Sequence, residues 1–80
     1  MRAGYIQFSP DFGDVEENIQ TISRLVESVD AELIILPELC NTGYLFTSCR
    51  EVETLSEEIP AGRTTQALCS MANHKHAYLV

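Results

Sequence analysis

Four consecutive apolar residues, Leu33, Ile34, Ile35 and Leu36, run into Pro37, and the next residue is a carboxylate, Glu38. A strand with no polar residue in alternation must be covered on both faces, the pattern of a strand inside a parallel sheet. Pro37 has no N–H to give to a ladder and ends the strand. Glu38 therefore falls at the carboxyl end of a buried strand, where open α/β sheets hold their ligands. A charge in that place costs free energy unless it has a partner or a task. Asn41, Thr42 and Gly43 follow as turn chemistry, and a positive φ at Gly43 would aim Tyr44 and Phe46 back toward the same crevice.

The segments on either side supply the other elements of a sheet. Ala3 to Phe8 reads as a first strand closed by Ser9-Pro10. Asp14 is a good helix N-cap with Glu17 at the capping-box spacing, and Val15, Ile19, Ile22, Leu25, Val26 and Val29 fall on one helical stripe. Strand, helix and second strand make a βαβ unit, so the strands should be parallel and the crossover right-handed. Ser48 and Glu51 repeat the capping-box spacing, with Val52, Leu55 and Ile59 as the apolar side of a short helix that Pro60-Ala61-Gly62 breaks. A further helix begins near Arg63 or Thr64, buries Thr64, Ala67, Leu68, Met71 and Ala72, and frays at Asn73. Ala77 to Val80 reads as the opening of another strand.

A chain of 80 residues is one small domain at most, and at that size only roughly 60 to 65% of the unfolded surface can be buried. Crossovers on one face of a three-stranded parallel sheet leave the other face bare, although the middle strand is apolar on both sides. The expectation is the amino-terminal part of a larger α/β domain, or a core finished by a partner chain. The net charge of −7, from 12 acids against five scattered bases, argues against nucleic-acid backbones and anionic membranes as partners. Cys40, Cys49 and Cys69 have neither disulfide-framework nor zinc spacing, so reduced thiols and a cytoplasmic location are expected. No signal-peptide pattern opens the chain, and the longest apolar run is far too short to span a bilayer.

Several of these strings together carry a resemblance. Tyr5-Ile6-Gln7-Phe8-Ser9-Pro10, then Gly13-Asp14-Val15-Glu16-Glu17-Asn18, then Leu36-Pro37-Glu38-Leu39 with Thr42-Gly43-Tyr44, resemble the start of the nitrilase superfamily of carbon–nitrogen hydrolases. Ile59-Pro60-Ala61-Gly62 and Thr64-Thr65-Gln66-Ala67-Leu68 are similar to that family's next helical region. The resemblance implies an α/β fold, the amino-terminal part of an α-β-β-α sandwich in strand-helix-strand-helix-strand order, with residues 1–80 as a partial domain incomplete at its carboxyl end. It implies a Glu-Lys-Cys triad in which Glu38 is the general base, acting on a small amide, nitrile or carbamoyl substrate with no metal or organic cofactor. It also implies homo-oligomers in the full-length form, as dimers that extend the sandwich. The lysine and nucleophilic cysteine of the family lie in sequence beyond the second helical region. Lys75 does not match that lysine, and none of the three cysteines matches the nucleophile, so the 80 residues alone are expected to be inactive.

Plainer roles stand beside these. Glu38 could be a strand-end carboxylate that caps a neighbouring helix or pairs with a base. Cys40, two residues on, is better read as a small wall residue than as a nucleophile, because a Glu and a Cys so close in one loop are not held face to face. Tyr44 and Phe46 either line a substrate pocket or cover the core edge. His74 and His76 lack further ligands for a metal, and the acidic run Glu51, Glu53, Glu57, Glu58 reads as a solvated face. Two classes of function remain: a piece of a carbon–nitrogen hydrolase, or a non-catalytic truncated hydrolase fragment that acts as an association module. A dinucleotide-binding βαβ unit is disfavoured, since no GxGxxG follows the first strand.

Overall fold

The computed structural model describes residues Met1–Val80. Its elements run β1 (Ala3–Tyr5), α1 (Val15–Ser28), β2 (Leu33–Ile35), α2 (Cys49–Leu55), α3 (Arg63–Lys75) and β3 (Tyr78–Leu79). The three strands form one parallel sheet in the order β1-β2-β3. This is a mixed α/β architecture, as the sequence leads one to expect. Two helices, one short and one long, stand between the second and third strands.

β1 is shorter than the Ala3 to Phe8 strand expected from the sequence, and Pro37 supplies the reason. Leu33 donates to the Arg2 carbonyl, and Ile6 donates to the Ile35 carbonyl at 2.8 Å. The next donor in that parallel series would be residue 37, which as proline has no N–H. The β1–β2 pairing therefore stops, and Gln7 to Pro10 leave the sheet as loop.

α1 is entered as its sequence indicates. The Asp14 carboxylate accepts the Glu17 N–H at 3.3 Å. Val15, Ile22 and Val26 are buried, and Ile22 and Val26 pack with Ile6 and Ile34 as the centre of the core. Each such side chain contributes about 1.5 to 3 kcal/mol by leaving water. The buried stripe also contains Asn18, which the apolar pattern passes over in favour of Ile19; Ile19 is only half-buried.

α2 and α3 differ from expectation at their ends. α2 stops at Leu55 because Ser56 turns extended and returns both its N–H and its hydroxyl to the Glu53 carbonyl, leaving Ile59 exposed in the linker. α3 does not fray at Asn73 but continues to Lys75. His76, in the left-handed region at φ 56°, donates to the Ala72 and Asn73 carbonyls and closes the helix. The Lys75 ammonium donates to the Glu27 carbonyl in the last turn of α1, tying the two helix ends together.

The strand register sorts the sheet's two faces. Gly4, Ile34 and Leu79 are paired across the sheet and face the helices, with Ile34 fully buried and Leu68 and Met71 of α3 packed against the core. The alternate residues Ala3, Tyr5, Ile35, Tyr78 and Val80 are exposed on the opposite face, where no element of the chain lies.

Candidate active site

Beyond β2 the chain makes a tight turn over residues 38–42. Leu39 takes a positive φ of 51°, and its carbonyl accepts from both Thr42 and Gly43. Gly43, at φ 74°, lies flat against the loop that follows β1, where an added Cβ would meet Phe12 Cα at 3.5 Å and the Pro10 carbonyl at 3.6 Å. The Gly13 N–H donates to the Thr42 carbonyl at 2.8 Å across the same gap. The two loops at the carboxyl end of the sheet are thus docked on one another through main chain.

Between them lies a hollow of about 470 Å³ walled by Gln7 to Pro10, Pro37, Glu38 and Tyr44. Glu38 is exposed at this hollow. Its carboxylate caps no helix, and the two ion pairs of the chain, Arg2 with Asp30 and Arg63 with Glu16, are made without it. The structural tasks open to a strand-end carboxylate are done here by other residues.

Tyr44 and Phe46 part company. Tyr44 stands beside Glu38 and is 71% exposed. Phe46 turns away and meets Phe12 edge to face, with ring centroids 5.0 Å apart and planes at 84°. It lines a second hollow, of about 580 Å³, between the 38–46 loop, α2 and α3, with Cys40, Val52, Leu55 and Leu68 among the walls. Cys40 is half-buried there, packs against the core, and does not line the Glu38 hollow. Burial pushes its thiol up, although a hydrogen bond with the main chain partly offsets the shift, and the group stays protonated at neutral pH.

The acidic run is more than a solvated face. The Glu51 carboxylate accepts from the Thr47 hydroxyl and N–H, which hold its pKa below the usual carboxylate range; it reaches one residue further back than a capping box, while Ser48 accepts the Glu51 N–H. Glu57 caps α3 from the preceding linker, accepting the Thr64 N–H at 2.7 Å and the Thr64 hydroxyl at 2.6 Å. Burial raises the Glu57 pKa, but the Thr64 bonds, with Asn41 and Arg63 nearby, outweigh it and leave the carboxyl below its ordinary value. The Asn41 side chain also donates to the Thr64 hydroxyl at 3.2 Å. That contact links the turn after β2 to the start of α3.

Asn18 completes the support. Its amide oxygen accepts the Asp11 N–H at 2.9 Å, and its NH₂ donates to the Asp11 carbonyl at 2.8 Å and the Asn41 carbonyl at 2.9 Å. A signal for it was present, since Asn18 lies three residues after Val15 and four before Ile22, on the stripe itself. No three or more His, Cys, Asp or Glu side chains converge in a metal-binding group, and no helix is long and apolar enough to cross a membrane.

Comparison with known proteins bears on this geometry. A nitrilase from Pyrococcus abyssi (strain GE5 / Orsay) is 31% identical over 83 residues, an alignment covering 100% of this chain and 32% of the relative. A protein N-terminal amidase from Schizosaccharomyces pombe (strain 972 / ATCC 24843) is 31% identical over 64 residues, 74% of this chain and 22% of the relative. The chain thus spans about a third of the first relative's length and under a quarter of the second's. The family model described as carbon-nitrogen hydrolase matches residues 2–80, which include every element from β1 to β3. With its parallel sheet and a Pro-Glu turn at the carboxyl end of β2, this chain belongs to the carbon–nitrogen hydrolase family, as an amino-terminal portion of the nitrilase-superfamily fold.

Proposed function

We propose that these residues supply the general base of a hydrolase that cleaves non-peptide carbon–nitrogen bonds in a small amide, nitrile or carbamoyl compound. Glu38 is that base. A lysine and a cysteine, neither matched within these 80 residues, complete the triad from elsewhere in a larger domain. Glu38 takes the thiol proton as sulfur attacks the substrate carbon, and the lysine stabilises the charge that develops on the attacked oxygen or nitrogen. With an amide, collapse expels ammonia or an amine, which carries off the proton held on Glu38, and leaves a thioester. Glu38 then draws a proton from water, whose oxygen displaces the sulfur and regenerates the thiol. The cycle draws on no metal or organic cofactor. Tyr44, which lines the same hollow as Glu38, meets the substrate in this reading, whereas Phe46 lines the other hollow and has no part in substrate contact.

One observation supports this reading above the others: Glu38 borders the hollow at the carboxyl end of the sheet while neither capping a helix nor pairing with a base. The test is ammonia release from a panel of amides and nitriles by the full-length protein and its Glu38→Gln variant. Loss of turnover with substrate binding retained is expected, and an unimpaired variant removes Glu38 from the mechanism. The 80-residue chain by itself should release no ammonia.

A second reading rests on the uncovered sheet face, where Tyr5 and Tyr78 are 74% and 69% exposed. In it the 80 residues act as a truncated association module that pairs through that face. Size-exclusion chromatography with circular dichroism separates the two, since a folded monomer contradicts the module.

A further inference from the structure

Asn18 does something the apolar stripe of α1 does not need. It is 2% exposed, in a helix face otherwise filled by Val15, Ile22 and Val26. A buried primary amide is destabilising unless its oxygen and both N–H bonds are satisfied, and here all three are. None of its partners lies in α1. Two are the N–H and carbonyl of Asp11, in the loop after β1, and the third is the carbonyl of Asn41, in the turn after β2.

Those loops carry the wall residues of the Glu38 hollow. Asp11 directly follows Pro10, the last residue of one wall, and Asn41 lies in the turn between Glu38 and Tyr44, which line the other. The Gly13 N–H to the Thr42 carbonyl is a second tie between the same loops, made without any side chain. Asn18 is therefore fixed to the rigid, core-facing side of a helix and holds both walls at once.

We infer that Asn18 is a positioning residue for the proposed hydrolysis: by clamping the Asp11 and Asn41 main chain to α1 it sets the separation of the two walls and hence the place of Glu38. This inference rests on the reading of Glu38 as general base. The chemistry asks for it, because proton transfer needs the carboxylate within hydrogen-bond reach of the thiol, and a displacement of about 1 Å lowers rate on the order of 100-fold.

Asn18→Asp is the discriminating substitution. It keeps the shape and the acceptor for the Asp11 N–H, but sets a carboxylate oxygen against two carbonyl oxygens at a site too buried to hydrate it. Asn18→Ala removes the same ties without adding charge, and serves where the aspartate variant fails to fold. In the full-length protein, either variant should lower kcat on the order of 10- to 100-fold with KM moving less than about threefold. In a Glu38→Gln background the same change should lower the residual turnover by less than about twofold more, because Asn18 acts through that carboxylate. A role in folding alone would reduce the active fraction equally in both backgrounds.

A kcat within about twofold of wild type, an effect on KM alone, or losses that multiply in the double variant would overturn the inference. The Gly13 amide gives a readout independent of turnover. Its hydrogen exchange should quicken in the Asn18 variants as the walls separate. Should Glu38→Gln prove fully active, the base assignment fails, and Gly13 exchange then judges the clamp: faster exchange upholds it, unchanged exchange sinks it.

Discussion

The turn of residues 38–46 separates two hollows that differ in nearly every property. The larger, at about 580 Å³, is walled mainly by apolar groups from the turn, α2 and α3, and burial pushes the thiol of its Cys40 up. The smaller, at about 470 Å³, lies at the carboxyl ends of β1 and β2 and contains the one carboxylate of that turn. Volume and greasiness alone would select the first. The proposed reading of Glu38 as general base selects the second, because there a strand end delivers an acid that neither caps a helix nor pairs with a base. The larger hollow has the more apolar lining, and its one acid, Glu57, is committed to the α3 cap; on the proposed reading the smaller one is where the chain acts.

That contrast can be broken most directly at its two aromatics. Phe46→Ala removes the edge-to-face contact with Phe12 and part of the larger hollow's wall, and should cost about 2 to 3 kcal/mol by thermal or urea unfolding. Tyr44→Ala should leave stability within about 0.5 kcal/mol and raise KM for the amide substrate roughly three- to tenfold. The reverse pattern, with Tyr44 carrying stability and Phe46 carrying KM, would exchange the roles of the two hollows.

A smaller effect is expected at Glu57, on the wall of the larger hollow. Glu57→Gln weakens the cap on α3 and should cost about 1 kcal/mol at neutral pH. The sign of its pH dependence follows from a folded pKa below the unfolded one: the stabilisation is complete above the ordinary carboxylate range and is lost as pH falls through the folded value. Stability followed from pH 7 downward should therefore fall less steeply in Glu57→Gln than in wild type. Identical acid limbs would show that the Thr64 contacts contribute nothing.

The smallest effect should come from Cys40→Ser. Ammonia release by the full-length protein should stay within about twofold of wild type, with unfolding shifted by under about 1 kcal/mol. A variant without turnover would make the larger hollow the reactive one and undo the contrast.

Much of this arrangement was legible in the residue string, and the parts that were not share a cause. Local chemistry announced the starts of helices, so Asp14 and Ser48 cap α1 and α2 as their spacing indicates. It also placed Glu38 at a strand end, because a proline fixes where a ladder must stop. What escaped it was contact at a distance in sequence. Asn18 reads as an ordinary polar residue until the loops of Asp11 and Asn41 are folded over it. Glu57 reads as solvated until Gly62 lets it approach Thr64; a Cβ at Gly62 would come within 2.6 Å of the Glu57 carboxylate. Tyr44 and Phe46 read as companions, two residues apart, and only the Phe12 ring decides that they diverge.

The left-handed turn at His76 has a consequence for how the third strand finds its phase. Tyr78, Leu79 and Val80 are all apolar, so a slip by one position would still offer the helices a greasy side chain, and burial alone could not reject it. Yet the Ala77 N–H is already committed to the Ala72 carbonyl when the helix closes, which leaves a single residue before pairing begins at Tyr78. The stop of one element thus meters out the start of the next, and Leu79, not its neighbours, is delivered beside Ile34.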